Sequence, residues 1–452
     1  SAIYVARILG PENFGKWGVL RSTVSMFSIL LGFGIGVAST KYLAEYKDSN
    51  KKLAGRILSV SIIFSFFFGL ISSLILILSS KWLASVFNDT SLLSLFQLSS
   101  VFFFVNSIYG VLIGSLSGLN CFKQIALSSF FSSIMGFFLI IYFTKSQGVS
   151  GVIIGYSLYY LIANLLLVYY LLKETKKMQI YFNFTDLKNT SIKFLNLSFP
   201  AFISGSIGGP TIWLLYAIVA NMPNGIIYIG IFNAAKIAQN SIVQLGTQLN
   251  APLITMMAND KSNLIDRMNF VVPWILITLF AMPLIIMPEF FTYFLRESDY
   301  DIIKLNTLVS ITSFTAYIML FKQGFGRKII TNEKMWWGVI ENIMWGLALL
   351  LIITPFINQY SEFGLAYAFA LVYFLDLLII FPIYLKNNFF PQELVSFNMF
   401  LSWIIIILCL SFNLFQFSIF FRLIVFIFSI LVQFILIYNI IVKNHTNENS
   451  NI

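Results

Sequence analysis

The chain has 452 residues, of which 58% are hydrophobic, 17% aromatic and only 10% charged, with a mean hydropathy of +0.86 and a formal net charge of +10. Soluble domains carry roughly 25% charged residues and about 45–50% apolar ones, so this composition cannot face water and a soluble enzyme is excluded. Long continuous apolar runs, in place of alternating segments of about 10 residues, also exclude a transmembrane barrel. The predicted fold class is all-α: a polytopic helical membrane protein.

A spanning helix needs about 20 apolar residues. The first apolar stretch, 1–9, is too short and is read as the end of a first helix whose start is missing. Further spans are predicted at 17–40, 57–79, 92–114, 125–144, 151–172, 194–219 and 225–257. They continue at 269–290, 305–321, 335–357, 363–385, 397–417 and 423–442, which makes fourteen in all. The last two are the weakest, because only Asn413, Gln416 and Arg422 break the apolar stretch they share.

The longest internal loop, 173–193, falls near the middle and reads as a cytoplasmic connector. It separates an N-terminal bundle (1–172, helices one to six) from a C-terminal bundle (194–385, helices seven to twelve). Two extra helices (386–442) and a polar tail (443–452) follow.

Orientation follows from lysine and arginine in the loops. Of the 28 cations, nineteen fall in one set of alternate loops, from Lys41 through Lys322, Arg327 and Lys328 to Lys443. Six fall in the opposite set, Arg422 among them, and Arg7, Arg21 and Lys236 lie within spans. The crowded side is expected to be cytoplasmic, with both termini there. This bias accounts for the net charge, so no nucleic-acid partner is implied. The only histidine, His445, lies in the tail, and Cys121 and Cys409 stand far apart. No metal site, disulfide framework or cofactor is expected.

Transporters often consist of repeated halves with the substrate site between them. The segment Gly15-Lys16-Trp17-Gly18-Val19-Leu20-Arg21 aligns with Gly230-Ile231-Phe232-Asn233-Ala234-Ala235-Lys236. Each has a glycine, an aromatic two residues later and a cation six residues later. Asn233, Lys236, Asn240, Gln244 and Thr247 recur at intervals of 3 or 4, one face of a helix. A lysine among amides is costly in lipid, so the stripe reads as the wall of a water-filled cavity, against the alternative of helix–helix hydrogen bonding. Gly32, Gly34 and Gly36, the run Gly205–Gly208–Gly209–Pro210, and Pro200, Pro273, Pro283 and Pro355 mark bends or close packing.

Acids within spans are few. Asp376 and Glu341 could each carry a coupling ion, or could pair permanently with a nearby lysine. Asp299-Tyr300-Asp301 has the spacing of a metal–nucleotide motif, but a solvated outer loop is the expected reading.

Residues 4–15, Tyr4-Val5-Ala6-Arg7-Ile8-Leu9-Gly10-Pro11-Glu12-Asn13-Phe14-Gly15, with Gly32-Phe33-Gly34 and Thr40-Lys41-Tyr42-Leu43-Ala44-Glu45-Tyr46, resemble the O-antigen flippases (Wzx). These belong to the superfamily of multidrug and toxin extruders and lipid II flippases. Gly118-Leu119-Asn120-Cys121-Phe122-Lys123 and Leu197-Ser198-Phe199-Pro200-Ala201-Phe202 also fit. The resemblance implies twelve to fourteen helices in two pseudo-symmetric bundles with alternating access, in a bacterial cytoplasmic (inner) membrane. It implies a polyprenyl-pyrophosphate-linked oligosaccharide as substrate, an H+ or Na+ counter-ion, and a polysaccharide polymerase and chain-length regulator as partners. Onto this sequence it carries Arg7, Arg21 and Lys236 as cavity cations. Amides such as Asn233, Asn240 and Gln244 suit sugar hydroxyls.

A multidrug extruder of the same fold usually moves cationic cargo and would hold acids in its cavity, whereas the charges within spans here are mostly basic. An O-antigen polymerase or ligase would bear a large outer loop, which this chain lacks. A flippase, not an enzyme, is the expected function.

Overall fold

A computed structural model describes residues 1–32, 35–186, 207–259, 262–296, 298–332, 334–415 and 417–449. The described residues form helices and turns without a strand. In chain order they are α1 (Ala2–Gly32), α2 (Ile35–Tyr46), α3 (Lys51–Val86), α4 (Leu92–Gly118), α5 (Phe122–Lys177), α6 (Gly208–Ala220) and α7 (Gly225–Thr247). Then come α8 (Asn250–Asn259), α9 (Asn263–Ile286), α10 (Glu289–Thr292), α11 (Ile302–Thr331), α12 (Met335–Tyr360), α13 (Gly364–Lys386), α14 (Phe397–Leu414) and α15 (Ile419–Asn449). Among the described residues, eight helical stretches are long and apolar enough to cross a membrane. Large apolar side chains such as Leu78, Phe138 and Leu351 are exposed on them, as lipid contact requires.

By internal contacts the chain divides into two compact units, Ser1–Gly230 and Ile231–Ile452. In the first, α1 breaks at Gly10, whose φ of 69° and ψ of 177° are not helical. Residues 10–16, expected as a loop between two spans, thus continue the helix after the break. The glycines of the aligned heptads meet here. A Cβ on Gly230 would lie 1.8 Å from the Pro11 carbonyl oxygen, and one on Gly15 would lie 2.0 Å from that of Ile226. Only glycine permits this approach.

The 56 residues of α5 would reach about 84 Å if straight, far more than a bilayer. They turn back at Gly148, where φ is +58°. A Cβ on Gly151 would meet the Phe143 carbonyl, one on Gly155 the Cα of Ile140, and one on Gly136 the Tyr159 ring. The run is therefore a close-packed hairpin, at the break predicted between spans 125–144 and 151–172. Helix α6 is held in this unit by Trp213, which donates from Nε1 to Thr23 Oγ1 at 3.1 Å and stacks on Trp82.

In the second unit α9, α11, α13 and α14 share an aromatic core around Trp274, Tyr317, Phe321, Phe325 and Phe390. Here the structure corrects the orientation count. Lys322, Arg327 and Lys328 are not loop cations, because α11 runs on to Thr331 and buries Arg327 and Lys328. Arg422 likewise lies inside α15, buried, donating to Glu289 and to the Ile286 carbonyl. The predicted span 225–257 is two helices, α7 and α8. Half of span 194–219, including Pro200, Gly205 and residues 197–202, lies outside the described residues, as do Lys188, Lys193, Gly34, Gln416 and the end of the tail.

Candidate functional site

Arg7 is half-buried near the start of α1. Arg21 is exposed on the same helix, one turn beyond Trp17. Trp17 stacks on Tyr156, with centroids 5.4 Å apart, and Tyr160 packs against Phe102, Tyr109 and Tyr159. Trp17 and these tyrosines form an aromatic cluster in the first unit.

In the second unit the polar stripe lies on α7. Asn233, Lys236 and Thr247 are half-buried, while Asn240 and Gln244 are exposed. The stripe opens towards its C-terminal half. The ammonium of Lys236 sits 5.5 Å from the centroid of Phe232 and 5.2 Å from that of Phe369. Phe232 precedes it by one turn, where i,i+4 side chains meet, and Phe369 comes from α13. Ring faces stabilise a desolvated cation by about 2 kcal/mol, which makes a lysine tolerable at this depth.

Asp376 and Glu341 come together on one cation. The ammonium of Lys322 lies 2.6 Å from Glu341 Oε1 and pairs with Asp376 Oδ2 as well. Tyr384 donates its hydroxyl to Glu341 Oε2 at 2.6 Å, and the Tyr373 ring lies 5.6 Å from the ammonium. The side chains of Lys322, Glu341 and Asp376 are 11%, 17% and 4% exposed. Oδ1 of Asp376 is buried and accepts no hydrogen bond.

Lys322, Tyr373 and Tyr384 were not among the residues singled out by sequence. The signal available for Lys322 was the aromatic pair Phe321 and Phe325, which continues the helical period across it. Helix α13 aligns the two polar centres. Phe369, Tyr373 and Asp376 fall at i, i+4 and i+7, with Phe369 against Lys236 and Tyr373 against Lys322. Trp345 packs on both rings. One helix face therefore runs from the lysine of the stripe to the acid cluster.

Elsewhere the motif Asp299-Tyr300-Asp301 is structural. Asp301 caps α11, accepting from the backbone of Ile303 and Lys304, and Tyr300 is buried. Among the described residues, no group of three or more His, Cys, Asp or Glu side chains is placed to hold a metal ion.

The family model described as "Polysaccharide biosynthesis protein" matches residues 1–258. The chain belongs to this family. Curated proteins give no match. Among solved structures, the inward-facing conformation of a multidrug resistance MATE family transporter of the MOP superfamily superposes with a TM-score of 0.69 at 14% identity, over 86% of this chain and 92% of that one. The lipid II flippase MurJ in an inward closed conformation gives 0.66 at 15% identity, over 98% of both chains. At such identities the likeness is one of fold. The chain is thus a multi-pass membrane protein whose fold is similar to that of these transporters, in line with the resemblance carried by its N-terminal residues.

Proposed function

We propose that the protein is a flippase that carries a polyprenyl-pyrophosphate-linked oligosaccharide from the cytoplasmic to the outer leaflet of a bacterial inner membrane. The observation that carries this reading is the α7 stripe: a lysine held by two aromatic rings, with amides along the same helix face. A pyrophosphate cannot cross hydrocarbon alone, and cations in a low-dielectric site attract it strongly. Arg21 in the first unit, and Lys236 with Asn233, Asn240 and Gln244 in the second, supply charge for the head group and hydrogen bonds for sugars. Arg7 adds a further cation. The bundles, 1–172 and 194–385 about the connector 173–193, alternate access to this charge while the lipid tail stays in the bilayer. Both termini are cytoplasmic on this reading, and transport draws on an ion gradient through Asp376 and Glu341. The polymerase and chain-length regulator would receive the exported repeat.

The deciding experiment deletes the gene and follows lipid-linked repeats by leaflet. Accumulation on the cytoplasmic leaflet is the expected result. Accumulation of single repeats on the outer leaflet would point to a polymerase instead. Unchanged repeats with lost drug efflux would point to a multidrug extruder.

A further inference from the structure

The acid cluster of the second unit already contains a cation of its own. Lys322 occupies the space between Asp376 and Glu341, where a bound metal cation would draw its oxygen ligands. We propose that Lys322, Asp376 and Glu341 form a site for one exchangeable proton that rejects sodium, because the tethered ammonium fills the cation position. Its role in export rests on the transport reading above, whereas the binding chemistry does not.

With both carboxylates and the ammonium ionised, the cluster has a net charge of −1. Among the described residues, the charged groups nearest it come from the packed helices, and Lys236, against the same α13 face, is held one turn away by Phe232 and Phe369. Helix α11 brings Lys322, α12 brings Glu341, and α13 brings Asp376, Tyr373 and Tyr384. Helix α14 carries no charged residue. The charges of α9 are engaged elsewhere, Asp266 with Lys328 and Arg267 with Glu393. Arg327 is turned to Asn250 and Asn269. Nothing among these balances the second carboxylate. An uncompensated charge at this burial is costly, and one proton shared by the two carboxylates brings the site to neutrality. Asp376 Oδ1, buried with no hydrogen bond, is the oxygen left open for it. The proton belongs to the coupled pair and not to one residue alone.

Sodium faces the opposite balance. It would need several oxygens at once, while Asp376 Oδ2 and Glu341 Oε1 are taken by the ammonium and Glu341 Oε2 by Tyr384. It would also sit beside a fixed positive charge.

The test uses purified full-length protein in lipid nanodiscs. Infrared difference spectra across a pH titration report the protonated-carboxyl stretch, and thermal unfolding is followed in sodium chloride against choline chloride. The expected result is a titrating carboxyl band that both Asp376→Asn and Glu341→Gln remove or displace. The unfolding midpoint of the wild-type protein should be the same in both salts. In Lys322→Ala the vacated position should admit sodium, so the midpoint rises with sodium as ligand linkage requires. If Lys322→Ala does not fold, the wild-type band and midpoint decide alone. Titrating carboxyl bands that neither Asp376→Asn nor Glu341→Gln changes, or a wild-type protein that sodium stabilises, overturn the proposal. An intact proton site with a normal leaflet distribution in the deletion strain would instead sink the transport reading.

Discussion

Serine hydroxyls make up much of the buried polar interior of the first unit, whereas the second unit buries charges. Ser39, Ser59, Ser61, Ser65, Ser73 and Ser115 are buried in the first. Several return their hydroxyl to a carbonyl of their own helix, as Ser59 does to Gly55 and Ser61 to Ile57. Such groups satisfy themselves before any tertiary contact forms. Their further bonds, Ser39 to Ser115 at 2.9 Å and Ser65 to the Ser107 carbonyl at 2.9 Å, join helices at small extra gain. The second unit buries Arg267, Arg327, Lys328, Asp376 and Arg422. A buried charge must find its partner on another helix. Lys328 therefore ties α11 to α9, Arg422 ties α15 to α10, and Lys322 ties α11 to α12 and α13. The first unit is knit by groups that tolerate sliding; the second is latched by groups whose pairing changes with charge.

The largest expected effect tests the latch directly. Arg327, fully buried, donates to the side-chain oxygens of Asn250 and Asn269 and to the Asn269 carbonyl. Arg327→Leu leaves three acceptors unpaired at about 1–3 kcal/mol each. A stability loss of about 3–5 kcal/mol is expected in reversible unfolding from mixed micelles. A loss below about 1 kcal/mol would break the contrast between the units.

Next in size is Gly151→Val in the α5 hairpin. The added Cβ meets a backbone oxygen, which has no rotamer to yield. Overpacking costs about 1–3 kcal/mol, and cross-linking of cysteines placed on either arm should report the opened hairpin. An unchanged cross-linking yield would show that the first unit is looser than its glycines imply.

Much of this contrast was legible in the sequence, but unevenly. Apolar length marked the helices, and Gly148 fell in a predicted break. The in-span acids Asp376 and Glu341 stood out because charge is rare in lipid. Their partner did not. Lys322 opens the stretch Lys-Gln-Gly-Phe-Gly-Arg-Lys, whose cations and glycines read as a loop under the positive-inside rule. In the structure the stretch is helix, with Gly324 and Phe325 packed against Phe270 and Phe325 against Phe390. Arg327 was hidden for the same reason. Tyr373, Tyr384 and Phe369 had no signal, since aromatics fill apolar spans everywhere in this chain and their meaning comes from the helix opposite. The Gly15 and Gly230 alignment was legible in the sequence; that these glycines pack against the backbone at Ile226 and Pro11 was not.

Lys236 sharpens the contrast from the side of transport. Lys236→Ala removes a cation–π contact and is expected to cost about 1–2 kcal/mol of stability, with membrane insertion intact. Export of lipid-linked repeats should nevertheless be lost, and Lys236→Arg should keep part of it. Normal export in the alanine variant would remove the stripe from the mechanism.

The smallest expected effect is also the sharpest control on the first unit. Ser39 is fully buried, bonds Ser115, and accepts from Ser61 at 3.3 Å. Two cross-helix hydrogen bonds disappear in Ser39→Ala, yet little should happen. Ser61 keeps its bond to the Ile57 carbonyl, and the alanine methyl fits the space of the hydroxymethyl group. Hydrogen bonds between membrane helices average about 0.6 kcal/mol and reach at most about 1.7 kcal/mol, because the separated helices find other partners. A loss near 0.6 kcal/mol, measured by the same unfolding as Arg327→Leu, is therefore expected, with wild-type export. A loss equal to that of Arg327→Leu would mean that the serine network is as cooperative a latch as the charges, and the division of labour between the two units would fall.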